Sequence, residues 1–151
     1  VTGVVVDTCV VIHMIRDTPM GKRCMAALRH LRLAEVFISA ATKAELRSFA
    51  VQHSWGAAKM ARLETLLGEM ACQDIRGEDE ALMAAYVWAD AFSKRKVADA
   101  NGRMLEGASR KMGKNDLWIA ATALALDLPL MTADGDFDHL RETLLEVVKV
   151  G

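Results

Sequence analysis

Four stretches of the chain carry carboxylates at positions where they could do chemistry: "VVVDTC" with Asp7, "AATKAEL" with Glu45, "GKNDLWIAA" with Asp116, and "LMTADGDFDHL" with Asp134, Asp136 and Asp138. Like charges within a few ångströms of one another repel and raise each other's pKa, so such a set stays ionised only around a cation. Ligation by oxygen alone, with no cysteine or histidine, favours Mg2+ or Mn2+. One or two such ions activate a water and stabilise charge developing on phosphoryl and leaving oxygens. No serine, histidine or cysteine nucleophile is then required. The four histidines, His13, His30, His53 and His139, are scattered and read as helix-surface or core residues.

Each acid also has a purely structural reading. Thr42 to Glu45 matches the S/T-x-x-E capping box, and Asn115 and Asp116 suit helix caps. Asp134, Asp136 and Asp138 suit a solvated turn around Gly135, whose freedom would swing one of the first two inward. Asp7 resists such a reading best, because a carboxylate directly after a buried strand must find a partner or face a cleft.

The elements that would bring these residues together alternate between strand and helix. Val4–Val6 is a short β-branched run, and "EVFIS", "ACQDI", "LPLMT" and "LEVVKV" follow as further strands, "ACQDI" the weakest. Between them, helical spacing covers residues 9–16, 20–33, 41–53, 55–70, 78–96 and 115–128. In the second of these, Met25, Leu28 and Leu31 or Leu33 share the expected core side. The helix over 78–96 would end in a basic turn, and Pro129 would stop the last one. Residues 97–113 read as helix or loop. The pattern predicts an α/β fold, a three-layer α/β/α sandwich on a mostly parallel five-stranded sheet. Asp7 and the Asp134/Asp136 pair then lie past the carboxyl ends of two neighbouring strands at the switch point, where open sheets bind ligands.

A chain of 151 residues with 52% apolar and 26% charged residues reads as one globular domain. Cys9, Cys24 and Cys72 are odd in number, widely spaced and without a CxxC pair, which fits a reducing cytoplasm. The apolar start lacks a basic region and carries Asp7, so it makes a poor signal peptide, and no run reaches the roughly 18 apolar residues of a membrane span. The overall charge of −1 conceals a basic stretch: Lys94, Arg95, Lys96, Arg103, Arg110, Lys111 and Lys114 stand against only Asp99 and Glu106. Such a stretch could hold phosphates at the rim of an acidic pocket, or simply be a solvated face.

"VVVDTCVVI", "FISAATKAEL", "GKNDLWIAATAL" and "LPLMTADGDFDHL", in this order, resemble the PIN-domain ribonucleases, and in particular the VapC-type toxins of toxin–antitoxin pairs. The resemblance spans nearly the whole chain as a single PIN-like nuclease domain over 1–151, with a helical insertion roughly over 53–112. It implies Asp7, Glu45, Asp116 and either Asp136 or Asp134 as metal ligands, with Thr8, Thr132 and Asn115 supporting them. It also implies an RNA phosphodiester as substrate, a small protein antitoxin as partner, and room for a homodimer, with no membrane. A haloacid-dehalogenase-like phosphatase would need a second aspartate where Cys9 stands. A receiver-like signalling domain would need an acidic pair at the first strand and a lysine after the last. A PIN-like interaction module without activity would be expected to have lost at least one acid.

Overall fold

The computed structural model describes residues 3–31, 35–98, 102–103, 111–141 and 144–151. Among them, β1 (Gly3–Val6), β2 (Glu35–Ser39), β3 (Ala71–Gln73), β4 (Leu130–Thr132) and β5 (Val147–Lys149) form one sheet. Its order is β3-β2-β1-β4-β5, and every pairing is parallel. Chain order runs outward from β1 on one side through β2 and β3, then returns across β1 to β4 and β5. The switch point therefore lies between β1 and β4, where Asp7 donates its N–H to the Met131 carbonyl at 2.9 Å.

Alternation along β1 divides the core into two layers. Val4 and Val6 pack with α1 (Thr8–Arg16), Cys24 of α2 (Pro19–Leu31), Leu46 and Ala50 of α3 (Ala40–Gln52), and Leu63 and Leu67 of α4 (Ala57–Glu69). Val5 points the other way, into Ala89 and Phe92 of α5 (Glu80–Ser93), Leu117, Ala120 and Ala123 of α6 (Lys114–Leu126), and Phe137 and Leu140. A central strand apolar at every position is what two covered faces demand. The three-layer α/β/α reading of the sequence is therefore the architecture observed.

Several local expectations are corrected. In α2 the buried positions are Gly21 and Cys24, while Met25 and Leu31 are 38% and 36% exposed. Gly21 decides this, since a Cβ there would lie 2.1 Å from the His13 carbonyl oxygen, so α2 meets α1 backbone to backbone. Leu33 lies outside the described residues. Helix α5 stops at Ser93, with Lys94 as its C-cap and Arg95 at φ 59°, so the basic run follows the helix instead of forming its last turn. Helix α6 ends at Leu126 because Asp127 takes the left-handed conformation at φ 53°, before Pro129 is reached. Of residues 97–113, those at 99–101 and 104–110 lie outside the described set. No helix among the described residues is long and apolar enough to cross a membrane.

Candidate metal centre

Asp7 ends β1 and caps α1, and this double duty fixes its carboxylate. Oδ1 accepts the Thr8 N–H at 2.7 Å. Oδ2 accepts the Thr132 hydroxyl at 2.9 Å and lies 3.1 Å from Cys9 Sγ. The side chain is buried, with residue exposure of only 4%, and among the described residues no lysine, arginine or histidine pairs with it. Burial raises its pKa, the charge of Asp134 adds to that, and the Cys9, Thr132 and Thr8 hydrogen bonds oppose it.

Asp134 follows β4 and is held by the same threonine. Its N–H donates to Thr132 Oγ1 at 3.2 Å, and its Oδ1 accepts the Asp136 N–H at 2.9 Å. This is an Asx turn made by the aspartate itself. Gly135 is not at a positive φ, contrary to the freedom expected of it; a Cβ there would sit 3.2 Å from Asp138 Oδ2. Asp7, Cys9 and Asp134 each place one potential ligand atom within 4.8 Å of the others. Asp138 turns away and pairs with Lys149 at 3.0 Å.

Asp116 lies in the first turn of α6, and Glu45 in the second turn of α3. The capping-box reading of Thr42 and Glu45 gives way: Ser39 is the N-cap, accepting from Ala41 N at 3.1 Å. This frees Thr42 and Glu45 to turn toward α1, where the Thr8 hydroxyl donates to Glu45 Oε1 at 2.9 Å and lies 3.2 Å from Thr42 Oγ1. Gly113 is likewise the N-cap of α6, so neither Asn115 nor Asp116 caps that helix. Burial, then the charges of Asp7, Asp136, Glu45 and Asp134 in that order, push the Asp116 carboxyl up to about 7. That response puts each of the other four acids within electrostatic reach of Asp116. Asp136 and Asn115 are both exposed, Asp136 on the turn and Asn115 beside Asp116.

Sequence reasoning missed Cys9 and Thr42. Cys9 stands two residues after Asp7, in the first turn of a helix whose start is the carboxylate itself, and that spacing was the available signal. Burial, followed by the Asp7 charge, pushes the Cys9 thiol up, so it stays protonated and donates toward Asp7. Thr42 is fully buried, three residues before Glu45. Of the basic stretch, Lys94, Lys96, Arg103, Lys111 and Lys114 are exposed, Arg95 is half-buried, and Lys94 pairs with Asp90 at 3.1 Å. Arg110 lies outside the described residues.

The family model of the PIN domain matches residues 4–143. A search of curated proteins finds no match. Among solved structures, the chain is similar to VapBC2 from Rickettsia felis bound to a promoter DNA fragment (TM-score 0.73, 19% identity, covering 96% of this chain and 98% of that one). It is also similar to VapBC-1 from nontypeable Haemophilus influenzae (0.66, 24% identity, 97% of each chain). A third is FitAcB from Neisseria gonorrhoeae (0.64, 27% identity, 95% of each chain). With all four acidic segments inside the matched span and the same three-layer architecture around them, the chain belongs to the PIN domain family.

Proposed function

We propose that the chain is a metal-dependent endoribonuclease that hydrolyses RNA phosphodiester bonds, and that it serves as the VapC-type toxin of a toxin–antitoxin pair. The observation that carries this reading is a buried aspartate at the sheet's switch point, faced by further carboxylates and paired with no basic side chain among the described residues. A buried charge without a counter-charge is costly, and a cation is the partner such a site lacks.

The donor set fits Mg2+ or Mn2+. Asp7, Asp116 and Asp134 or Asp136 would hold the ion, and the raised Asp116 carboxyl would ionise as it binds. When bound, such an ion supplies a more acidic water and charge stabilisation for the phosphoryl group. The chain's own residues do the rest. Thr8 and Thr132 hold Asp7 in one rotamer, so its remaining lone pairs point one way. Glu45, tethered through Oε1 by Thr8, keeps Oε2 for a metal or for the attacking water. Because the pocket itself is acidic, affinity for RNA must come from its rim, and Lys94, Arg95, Lys96, Arg103, Arg110, Lys111 and Lys114 are the candidates.

The similar VapBC-5 from Mycobacterium tuberculosis is a member of the VapBC family of toxin–antitoxin systems, and a small antitoxin is the partner proposed here. A groove of about 440 Å3 lies between α1, α2 and α4, bordered by Met14, Gly21, Met25, Arg62 and Leu66. Exposed Met25 offers the adaptable apolar contact that a partner helix would cover.

The test is cleavage of total cellular RNA by purified protein with Mg2+ or Mn2+, with EDTA, and with the Asp7→Asn and Asp116→Asn variants. Loss of a residue that merely orients a ligand costs roughly 10- to 100-fold, so loss of a ligand is expected to exceed that. Cleavage that survives EDTA and both substitutions would overturn the proposal.

A further inference from the structure

A second groove, of about 470 Å3, runs along α3 to the start of α6. Its borders include Ala44, Glu45, Ser48, Phe49, Gln52 and Asn115. Glu45 belongs to both this groove and the acidic centre, so a ligand at one continues directly into the other. The size falls within the roughly 300–1,000 Å3 of small-ligand pockets.

The lining selects among the parts of an RNA strand. A carboxylate in the wall disfavours a phosphate. A neutral planar base suits it, because Phe49 supplies an apolar aromatic wall and Ser48, Gln52 and Asn115 supply hydroxyl and amide groups that both donate and accept. Gln52 Nε2 currently donates to Ser48 Oγ at 2.8 Å, an exposed bond easily exchanged for one to a base edge. The aromatic surface extends further: His53 stacks on Phe49 at 3.8 Å and Trp55 meets its edge at 5.6 Å. The Arg16 guanidinium lies over the Phe49 ring, 5.1 Å from its centre, so a stacking base displaces it or packs on the exposed His53 ring that already covers Phe49. Stacking rings, an arginine and side-chain amides are the means by which proteins hold single-stranded bases.

We propose that this groove is the subsite for a single-stranded nucleobase adjacent to the scissile phosphate, with Phe49 as its wall and Ser48, Gln52 and Asn115 as its specificity-determining groups; the assignment rests on the nuclease reading above. The test uses the full chain in EDTA, so that binding is read without cleavage. The probe is a short oligoribonucleotide containing 2-aminopurine, whose fluorescence falls on stacking. Wild type quenches it, whereas Phe49→Leu binds roughly 5- to 150-fold more weakly, the loss expected for one stacked base, and the Ser48→Ala/Gln52→Ala double variant binds roughly 2- to 12-fold more weakly for each hydrogen bond to the base that it loses. The double variant changes only exposed residues and guards against misfolding. With Mn2+ restored, both variants cut RNA with raised KM and relaxed choice of site, at unaltered Mn2+ affinity. Variants that bind the probe and select cut sites as wild type does would overturn the subsite while leaving the nuclease reading intact. A wild type that quenches the probe yet cuts no RNA would overturn the nuclease reading instead. Unchanged probe affinity with lost self-association, seen by light scattering, would assign the groove to a second copy of the chain and overturn the proposal.

Discussion

Thr132 is the residue on which the two ends of the chain meet. Its hydroxyl donates to Asp7 Oδ2 at 2.9 Å and accepts the Asp134 N–H at 3.2 Å, joining carboxylates 127 positions apart. Valine has nearly the same shape but can do neither. Thr132→Val should therefore leave Asp7 held only by the Thr8 N–H and the Cys9 thiol and weaken Mn2+ binding about 10- to 100-fold, while Thr132→Ser should restore most of it. Calorimetric titration of Mn2+ checks this. Equal affinity in wild type and the valine variant would mean that the hydroxyl does not orient the site. Thr8 works the same way on the other side, with its N–H on Asp7 and its hydroxyl on Glu45.

At the scale of elements, each acid is delivered by a boundary between strand and helix or by an early helical turn. Strand β1 hands Asp7 to α1, β2 hands over through the Ser39 cap to α3 and Glu45, and β4 leads into the Asp134 turn. Parallel strands with right-handed crossovers put all these boundaries on one edge of the sheet. The orientation of α1 thus matters to the site, and α2 packs against it at Gly21. Gly21→Ala would force a methyl to within 2.1 Å of the His13 carbonyl oxygen, which only separation of the helices can relieve. It should cost about 1–3 kcal/mol, measurable by urea unfolding, and should weaken metal binding through tilt of the Asp7 cap. A variant as stable as wild type would show that the helices separate freely there.

For the whole molecule, the acidic centre stores the cost of burying carboxylates, to which their mutual repulsion adds. The Asp116 carboxyl, ordinarily near 3.8, lies at about 7, and that of Asp7 is raised as well. Between those pH values the folded chain binds more protons than the unfolded chain, so stability falls as pH rises through this window and levels off above it. The metal-free protein should accordingly have a lower Tm at pH 8 than at pH 5, and Asp116→Asn should flatten the dependence. A divalent ion favours the ionised acids and should reverse the loss, by about 2.7 kcal/mol at a hundredfold excess over its Kd. Differential scanning calorimetry at both pH values, with and without Mn2+, reads all of this. A Tm that rises with pH in the metal-free protein would contradict the clustering of the acids.

The periodicity and order of short apolar runs were enough to specify the sheet, because a strand buried on both faces is written as consecutive β-branched residues and Val4–Val6 is such a run. Asp7 was legible for the same reason, as a charge that the pattern could not otherwise explain. The four acidic segments, in order, also carried the family resemblance. What the chain alone left open depended on contacts between distant segments. Ser39 rather than Thr42 caps α3, which only the meeting of Thr8, Thr42 and Glu45 makes plain. Whether Met25 was core or surface turned on the approach of α2 to α1 at Gly21. Cys9 read only as one of three widely spaced cysteines without a CxxC pair until the fold set its sulfur beside Asp7. Local pattern records which residues avoid water, whereas hydrogen-bond partners and pKa values are set by neighbours in space, and those come from anywhere in the chain.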